Sequence, residues 1–187
     1  SYTIVNAISD QNVLPFRVDY VNTVKLREAL PDKQVSAIDT EKALLSPERI
    51  DKVVEYILKH FDQKTRRNET YKLHDRRLAG FNSLFATASI EAAKRYYVAF
   101  QKAQAESLPD KKLKIGIIYS YAPNEEDPDG LLAEEGFETE SLDKSSRDFL
   151  ESAIGDFNKM FGTSWDTSSD NFQGYYKDLA MRLKNRE

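Results

Sequence analysis

Four stretches of this chain repeat apolar residues every three or four positions, and two short apolar runs stand among them. That change of period limits the possible folds more than any single motif does. The first helical stretch opens at Ser46-Pro47-Glu48: a hydroxyl N-cap, a proline in the first turn and an acid at the positive end of the helix dipole. Ile50, Val53, Val54, Ile57, Leu58 and Phe61 follow as one stripe, and His60 falls off it as an exposed helix residue. Gly80 then precedes Phe81-Asn82-Ser83-Leu84-Phe85-Ala86-Thr87, which reads as a buried strand. Ser89 opens a second helix whose inner face is Ala93, Tyr96, Tyr97 and Phe100. Leu113-Lys114-Ile115-Gly116-Ile117-Ile118-Tyr119-Ser120 reads as another strand. Strand, helix and strand of these lengths predict a right-handed crossover and a parallel sheet.

Two more helices follow. Ser145-Ser146-Arg147-Asp148 predicts a capping-box start. Phe149, Leu150, Ala153, Ile154, Phe157, Met160 and Phe161 line that helix, and Gly162 suits the position just past its end. Ser168 or Ser169 opens the last helix, lined by Phe172, Tyr175, Tyr176, Leu179 and Leu183, with Arg182, Lys184 and Arg186 at its negative end. Near the start, Leu14, Phe16, Val18 and Tyr20 alternate with Pro15, Arg17 and Asp19, and Pro15 places that strand at an edge. In such an architecture a strand is expected after the last helix, and none follows. The first residue is not Met. Both features predict a piece of a longer protein.

Composition narrows the chemistry. No Cys is present, which excludes a disulfide framework and any thiolate metal site. The two His residues, His60 and His74, are too few for a multi-His centre. No apolar run approaches the roughly 20 residues of a membrane span, and the N-terminus has no basic signal pattern. A cytoplasmic chain with no membrane partner is expected. The net charge of −4 conceals two blocks of opposite sign. Residues 124–143 hold nine acids, and without them the balance is 27 bases to 22 acids. Residues 64–80 hold six Lys and Arg against two acids, a segment able to follow a phosphate backbone or to stand as a solvated loop.

No Gly is followed by Lys, so there is no phosphate loop, and neither Gly-x-Ser-x-Gly nor His-Glu-x-x-His occurs. The carboxylates of residues 124–143 lack calcium-loop spacing. No catalytic residue, resident cofactor site or metal site is expected in this piece. One feature suits a ligand. Thr87 and Ser89 fall where a strand ends and a helix begins, and hydroxyls beside free helix-start N–H groups suit a phosphate. The plain alternative is that Ser89 only caps the helix. Lys94 and Arg95, in the second turn, add charge there or simply form a solvated helix face.

Residues 81–100, the run Ile118-Tyr119-Ser120-Tyr121-Ala122-Pro123-Asn124-Glu125-Glu126 and the run Phe172-Gln173-Gly174-Tyr175-Tyr176-Lys177-Asp178-Leu179-Ala180 resemble signatures of the R subunit of type I restriction enzymes. Residues 2–20 are similar to the approach to that family's second motor domain, so the resemblance spans essentially the whole chain. It implies an α/β fold: an incomplete RecA-like parallel sheet flanked by helices, of the superfamily 2 helicase domain 2 type. Residues 1–44 would be a lead-in helix, edge strand and linker, and 45–187 the N-terminal part of the second motor domain, ending before motifs V and VI. Residues 81–90 would be motif IV, which makes Thr87, Ser89, Lys94 and Arg95 the expected DNA contacts; Ala88 stands where Ser is frequent. ATP and magnesium would belong to the parent enzyme, with neither held wholly by this piece. Double-stranded DNA and the modification and specificity subunits are the implied partners. The isolated piece is expected to lack ATPase and nuclease activity. Two other readings stay open: another superfamily 2 remodeller, and a non-catalytic protein-interaction module.

Overall fold

The computed structural model describes residues 2–10, 12, 18–21, 23, 40–73, 76–119 and 142–186. The chain divides into two compact units, Ser1–Asp39 and Thr40–Glu187. In the first, helix α1 (Ile4–Ser9) starts with a reciprocal cap: the Thr3 hydroxyl accepts the Asn6 N–H, and the Asn6 side chain accepts the Thr3 N–H. Leu14 and Phe16 of the expected edge strand lie outside the described residues. Val18 and Tyr20 are exposed and belong to no strand.

The second unit contains α2 (Thr40–Leu44), α3 (Pro47–Lys64), β1 (Thr70–Leu73), β2 (Arg76–Ala79), α4 (Ile90–Ala103), a 3-10 turn (Pro109–Lys111), α5 (Lys144–Phe161) and α6 (Ser169–Asn185). The predicted helices form, with local adjustments. Pro47 begins α3 after Ser46, whose side chain makes no capping bond. His60 is half-buried, its ring 4.4 Å from that of Tyr56, and is not the exposed residue expected. The cap of α5 is Asp143, two residues before the expected Ser145, and its carboxylate accepts the Ser146 N–H at 3.0 Å. Gly162 ends α5 in the left-handed conformation, as predicted.

The expected parallel sheet does not form. Among the described residues the only sheet is the antiparallel hairpin β1–β2, with Thr70 opposite Ala79 and Leu73 opposite Arg76. Residues 81–87 and 113–119 carry no regular secondary structure and join no ladder. The unit is helical, and the RecA-like parallel-sheet reading is overturned. An extended stretch becomes a strand only when another backbone lies about 4.8 Å away to exchange N–H and C=O groups. A crossover helix brings no such neighbour by itself. Side chains take over part of that task along 113–119. The Tyr175 hydroxyl donates to the Ile117 carbonyl at 2.7 Å, and the Leu113 N–H donates to Gln104 Oε1 at 2.6 Å. Nor is 81–87 buried: residues 81–86 are exposed, Leu84 at 88%.

Helix α4 is the hub of the core. One side gives Ala92, Tyr96, Ala99 and Phe100 to a cluster with Ile50 and Val54 of α3. Phe85 closes over it, its ring meeting Tyr96 edge-on at 4.8 Å. The other side gives Tyr97 to a cluster with Ile117, Tyr119, Leu150, Ile154, Phe157, Phe172 and Tyr175. Burial on two faces explains why α4 is apolar around much of its girth. Period-two alternation survives in 113–119, where Ile117 and Tyr119 point inward and Gly116 is exposed. Gly174 lets the Trp165 ring lie against α6, since a Cβ there would come within 2.3 Å of that ring. The indole N–H then donates to Asp178 at 3.0 Å.

Gly80 seats the hairpin on the end of α3. Its φ is +62°, and a Cβ would stand 2.6 Å from the Arg67 Cα and 2.9 Å from the Thr65 carbonyl oxygen. Its N–H donates to the Glu69 carbonyl at 2.9 Å, and the Phe81 N–H donates to the Thr65 carbonyl at 2.7 Å. Gly80→Ala forces a side chain into left-handed backbone, about 1–2 kcal/mol, before the clash is counted. Amide exchange is expected to lose protection across β1 and β2 while α5 and α6 keep theirs. Unchanged protection in the hairpin would refute this seating role.

Candidate functional site

Thr87 and Ser89 follow the exposed residues 81–86 and lead into α4. The Thr87 hydroxyl donates to the Ser89 carbonyl at 3.1 Å. The Ser89 hydroxyl accepts the Ala92 N–H at 3.1 Å, and the Ser89 carbonyl accepts the Ala93 N–H at 3.0 Å. With extended backbone (φ −156°, ψ 161°), Ser89 is an N-cap in the full geometric sense. Both hydroxyls are half-buried.

Lys94 and Arg95 converge on Glu91. Arg95 Nε lies 2.7 Å and Lys94 Nζ 3.4 Å from that carboxylate. The Arg95 guanidinium holds the Glu91 carboxyl below the usual range, burial works against it, and Lys94 adds to the lowering. Lys94 also donates to the Ser146 hydroxyl at 3.4 Å, and Arg95 donates to the Leu45 carbonyl at 3.0 Å. Lys94 keeps only 16% of its side chain exposed, against 45% for Arg95. All four candidate residues thus sit in the first turns of α4 or just before it. Each already has an intramolecular partner.

Sequence reading missed the residues that complete this corner. The Ser146 carbonyl, in the first turn of α5, accepts the Tyr119 hydroxyl. The Ser146 hydroxyl meets Lys94. So the end of 113–119, the start of α4 and the start of α5 meet through one buried serine. Nothing in the local pattern marks Ser146, because its partners are 27 and 52 residues away. The Glu91–Arg95 pair, by contrast, follows from i,i+4 spacing alone. Acids attend both helix starts: Glu91 in the first turn of α4 and Asp143 as the cap of α5. The Ser146 hydroxyl and backbone N–H hold the Asp143 carboxyl below its ordinary range, with Lys94 adding to the effect.

Two phenols beside the corner are shifted. Burial pushes Tyr97 up to about 12, helped by the Asp156 carboxylate 3.5 Å from its hydroxyl. Burial also pushes Tyr119 up to about 12, helped by the charge of Asp143. Tyr175 moves in the same direction through burial. Among the described residues, no group of three or more His, Asp or Glu is placed to hold a metal ion. No helix among them is long and apolar enough to cross a membrane.

Comparison with known proteins gives a consistent picture. Residues 79–187 match the family model described as type I restriction enzyme subunit R domain 3. A type I restriction enzyme endonuclease subunit of Staphylococcus aureus strain COL is 32% identical over 186 residues, 98% of this chain and 17% of that protein. The corresponding subunit of Staphylococcus saprophyticus is 33% identical over 165 residues, 87% of this chain and 15% of that protein. The chain therefore spans about a sixth of the length of these curated relatives.

Proposed function

Because this chain belongs to the type I restriction enzyme R subunit family, we propose that it forms part of the DNA-translocating motor of such an enzyme. In this reading it grips the backbone of double-stranded DNA while the parent enzyme moves along it before cleavage. The observation that carries the proposal is the match of residues 79–187 to a restriction-subunit domain, which covers the whole candidate corner. The same match speaks against the alternative of another superfamily 2 remodeller. The parent would be an ATP-dependent deoxyribonuclease working in the cytoplasm with modification and specificity subunits.

ATP and magnesium would be held elsewhere in the parent. This chain's own residues would act by position. Thr87 and Ser89 present hydroxyls at a helix start, where small neutral donors hold a phosphate without reading bases. Lys94 and Arg95 set the local charge, moderated by Glu91. On its own the chain would turn over neither ATP nor DNA.

A second reading has specific support. The four candidate side chains are all engaged within the fold, and residues 81–86 expose Phe81, Leu84 and Phe85. That combination favours a packing module without DNA contact. One pair of substitutions separates the two. Asp is as good an N-cap as Ser, so Ser89→Asp keeps α4 while repelling a phosphate. Thr87→Val removes the other hydroxyl. In the assembled parent enzyme, the double variant is expected to lose DNA-stimulated ATPase about tenfold or more, since a hydrogen bond to a charged group contributes roughly 1.5–3 kcal/mol. Stimulation equal to wild type would leave both hydroxyls as purely structural and favour the packing module.

A further inference from the structure

The basic hairpin has no part in the corner described above. Residues 64–80 hold six bases and two acids in a chain of net charge −4. Ion pairs occupy two of the bases at the root: Arg66 with Glu69 at 3.3 Å and Arg67 with Asp62 at 3.8 Å. Lys72 and Arg77 differ. They stand directly opposite each other in the β1–β2 register. Arg77 Nη2 donates to the Thr70 hydroxyl at 3.2 Å, the diagonal neighbour across the ladder. Thr70, Lys72, Arg77 and Ala79 therefore share one face, and all four are exposed. Among the described residues neither Lys72 nor Arg77 is ion-paired.

Like charges placed opposite each other destabilise an antiparallel pair. A hairpin with no ligand is served better by one charge of each sign. A polyanion laid across the face turns that repulsion into attraction for both cations. The hairpin is also seated for a fixed direction, through Gly80 and the bonds at its root. We propose that the β1–β2 hairpin is a second contact to double-stranded DNA, with Lys72 and Arg77 on neighbouring phosphates. A two-stranded ribbon fits the major groove, and Lys and Arg on phosphates position a protein without reading sequence. The inference rests on the proposed function only in taking duplex DNA as the polyanion.

Equilibrium binding of a random-sequence duplex to the full-length restriction subunit, without ATP, tests it. Each phosphate contact contributes about one unit to the slope of log affinity against log salt. Lys72→Gln with Arg77→Gln is expected to flatten that slope by about two units and to weaken binding roughly tenfold at low salt. The exchange Lys72→Arg with Arg77→Lys keeps both charges and should keep the slope. Lys72→Glu puts opposite charges across the ladder and removes the same two units of positive charge, so it should hold the hairpin at least as firmly yet weaken binding about as much as the double Gln variant. An unchanged slope in the double Gln variant overturns the proposal. So does equal flattening in the charge-conserving pair, or a wild type with no salt-dependent duplex binding. DNA-stimulated ATPase of the wild-type assembly is a separate readout. If it persists while the slopes stay equal, the hairpin contact fails and the motor reading stands. If it is absent while the slopes differ as expected, the hairpin contact stands and the motor reading fails.

Discussion

Phe157→Ala is expected to remove about 3–5 kcal/mol from the stability of the helical unit, the range for emptying an aromatic site in a packed core. The side chain is 1% exposed, toward the C-terminal end of α5. Its ring meets Tyr175 edge-on at 5.0 Å and lies 4.7 Å from Phe161. Arg182 stacks at 5.8 Å from its centroid and 4.0 Å from that of Phe161. Collapse into the void would have to move α6 and the 113–119 segment together, because the Tyr175 hydroxyl ties them through the Ile117 carbonyl. Domains of this kind hold only about 5–15 kcal/mol in total, so the variant should stand near its unfolding threshold. Denaturant unfolding of wild type and variant measures the difference. A loss below about 1 kcal/mol, the level of an ordinary surface change, would mean that Phe157 is not the keystone its contacts indicate.

Alkali should weaken the same unit before it charges the folded phenols. Tyr97 and Tyr119 titrate at about 12 in the folded chain, where an unfolded tyrosine ionises near 10. Between those values the unfolded chain has released protons that the folded chain keeps. Unfolding then becomes more favourable as pH rises. The contribution of each phenol is intact below pH ~10 and disappears as pH passes ~12, on the order of 2 kcal/mol per tyrosine. The stability curve should therefore turn down near pH ~10. Tyr97→Phe, which has no proton to lose, should make that fall shallower. A flat stability profile up to pH ~12 would contradict the burial of these groups.

The helices were legible because their signals are local. Ile50 and Val54 in α3, Phe157 in α5 and Tyr175 in α6 each fall on the apolar stripe of their own helix, and all four are buried. Ser89 announced its cap. The one misplaced helix start, Asp143 in place of Ser145, is an error of two residues between neighbouring capping side chains. The sheet was misread for the opposite reason. Phe81 to Thr87 and Leu113 to Tyr119 carry strand-like residues but form no strand. Pairing, however, belongs to two backbones at once, and no window of one segment contains it.

The candidate corner divides along the same line. Local pattern specified that hydroxyls and cations would gather at the start of α4, because helix periodicity and capping act within a few residues. The hairpin was not legible in this way: residues 64–80 read only as a basic segment, and the pairing that sets Lys72 opposite Arg77 belongs to two strands at once. Long-range packing set everything that depends on distant parts of the chain. It brought Ser146 to Lys94, put the Tyr119 hydroxyl on the Ser146 carbonyl, and left Leu84 exposed where burial was expected. Such contacts come from how whole helices pack, and burial of apolar area rewards the total without prescribing which side chains meet.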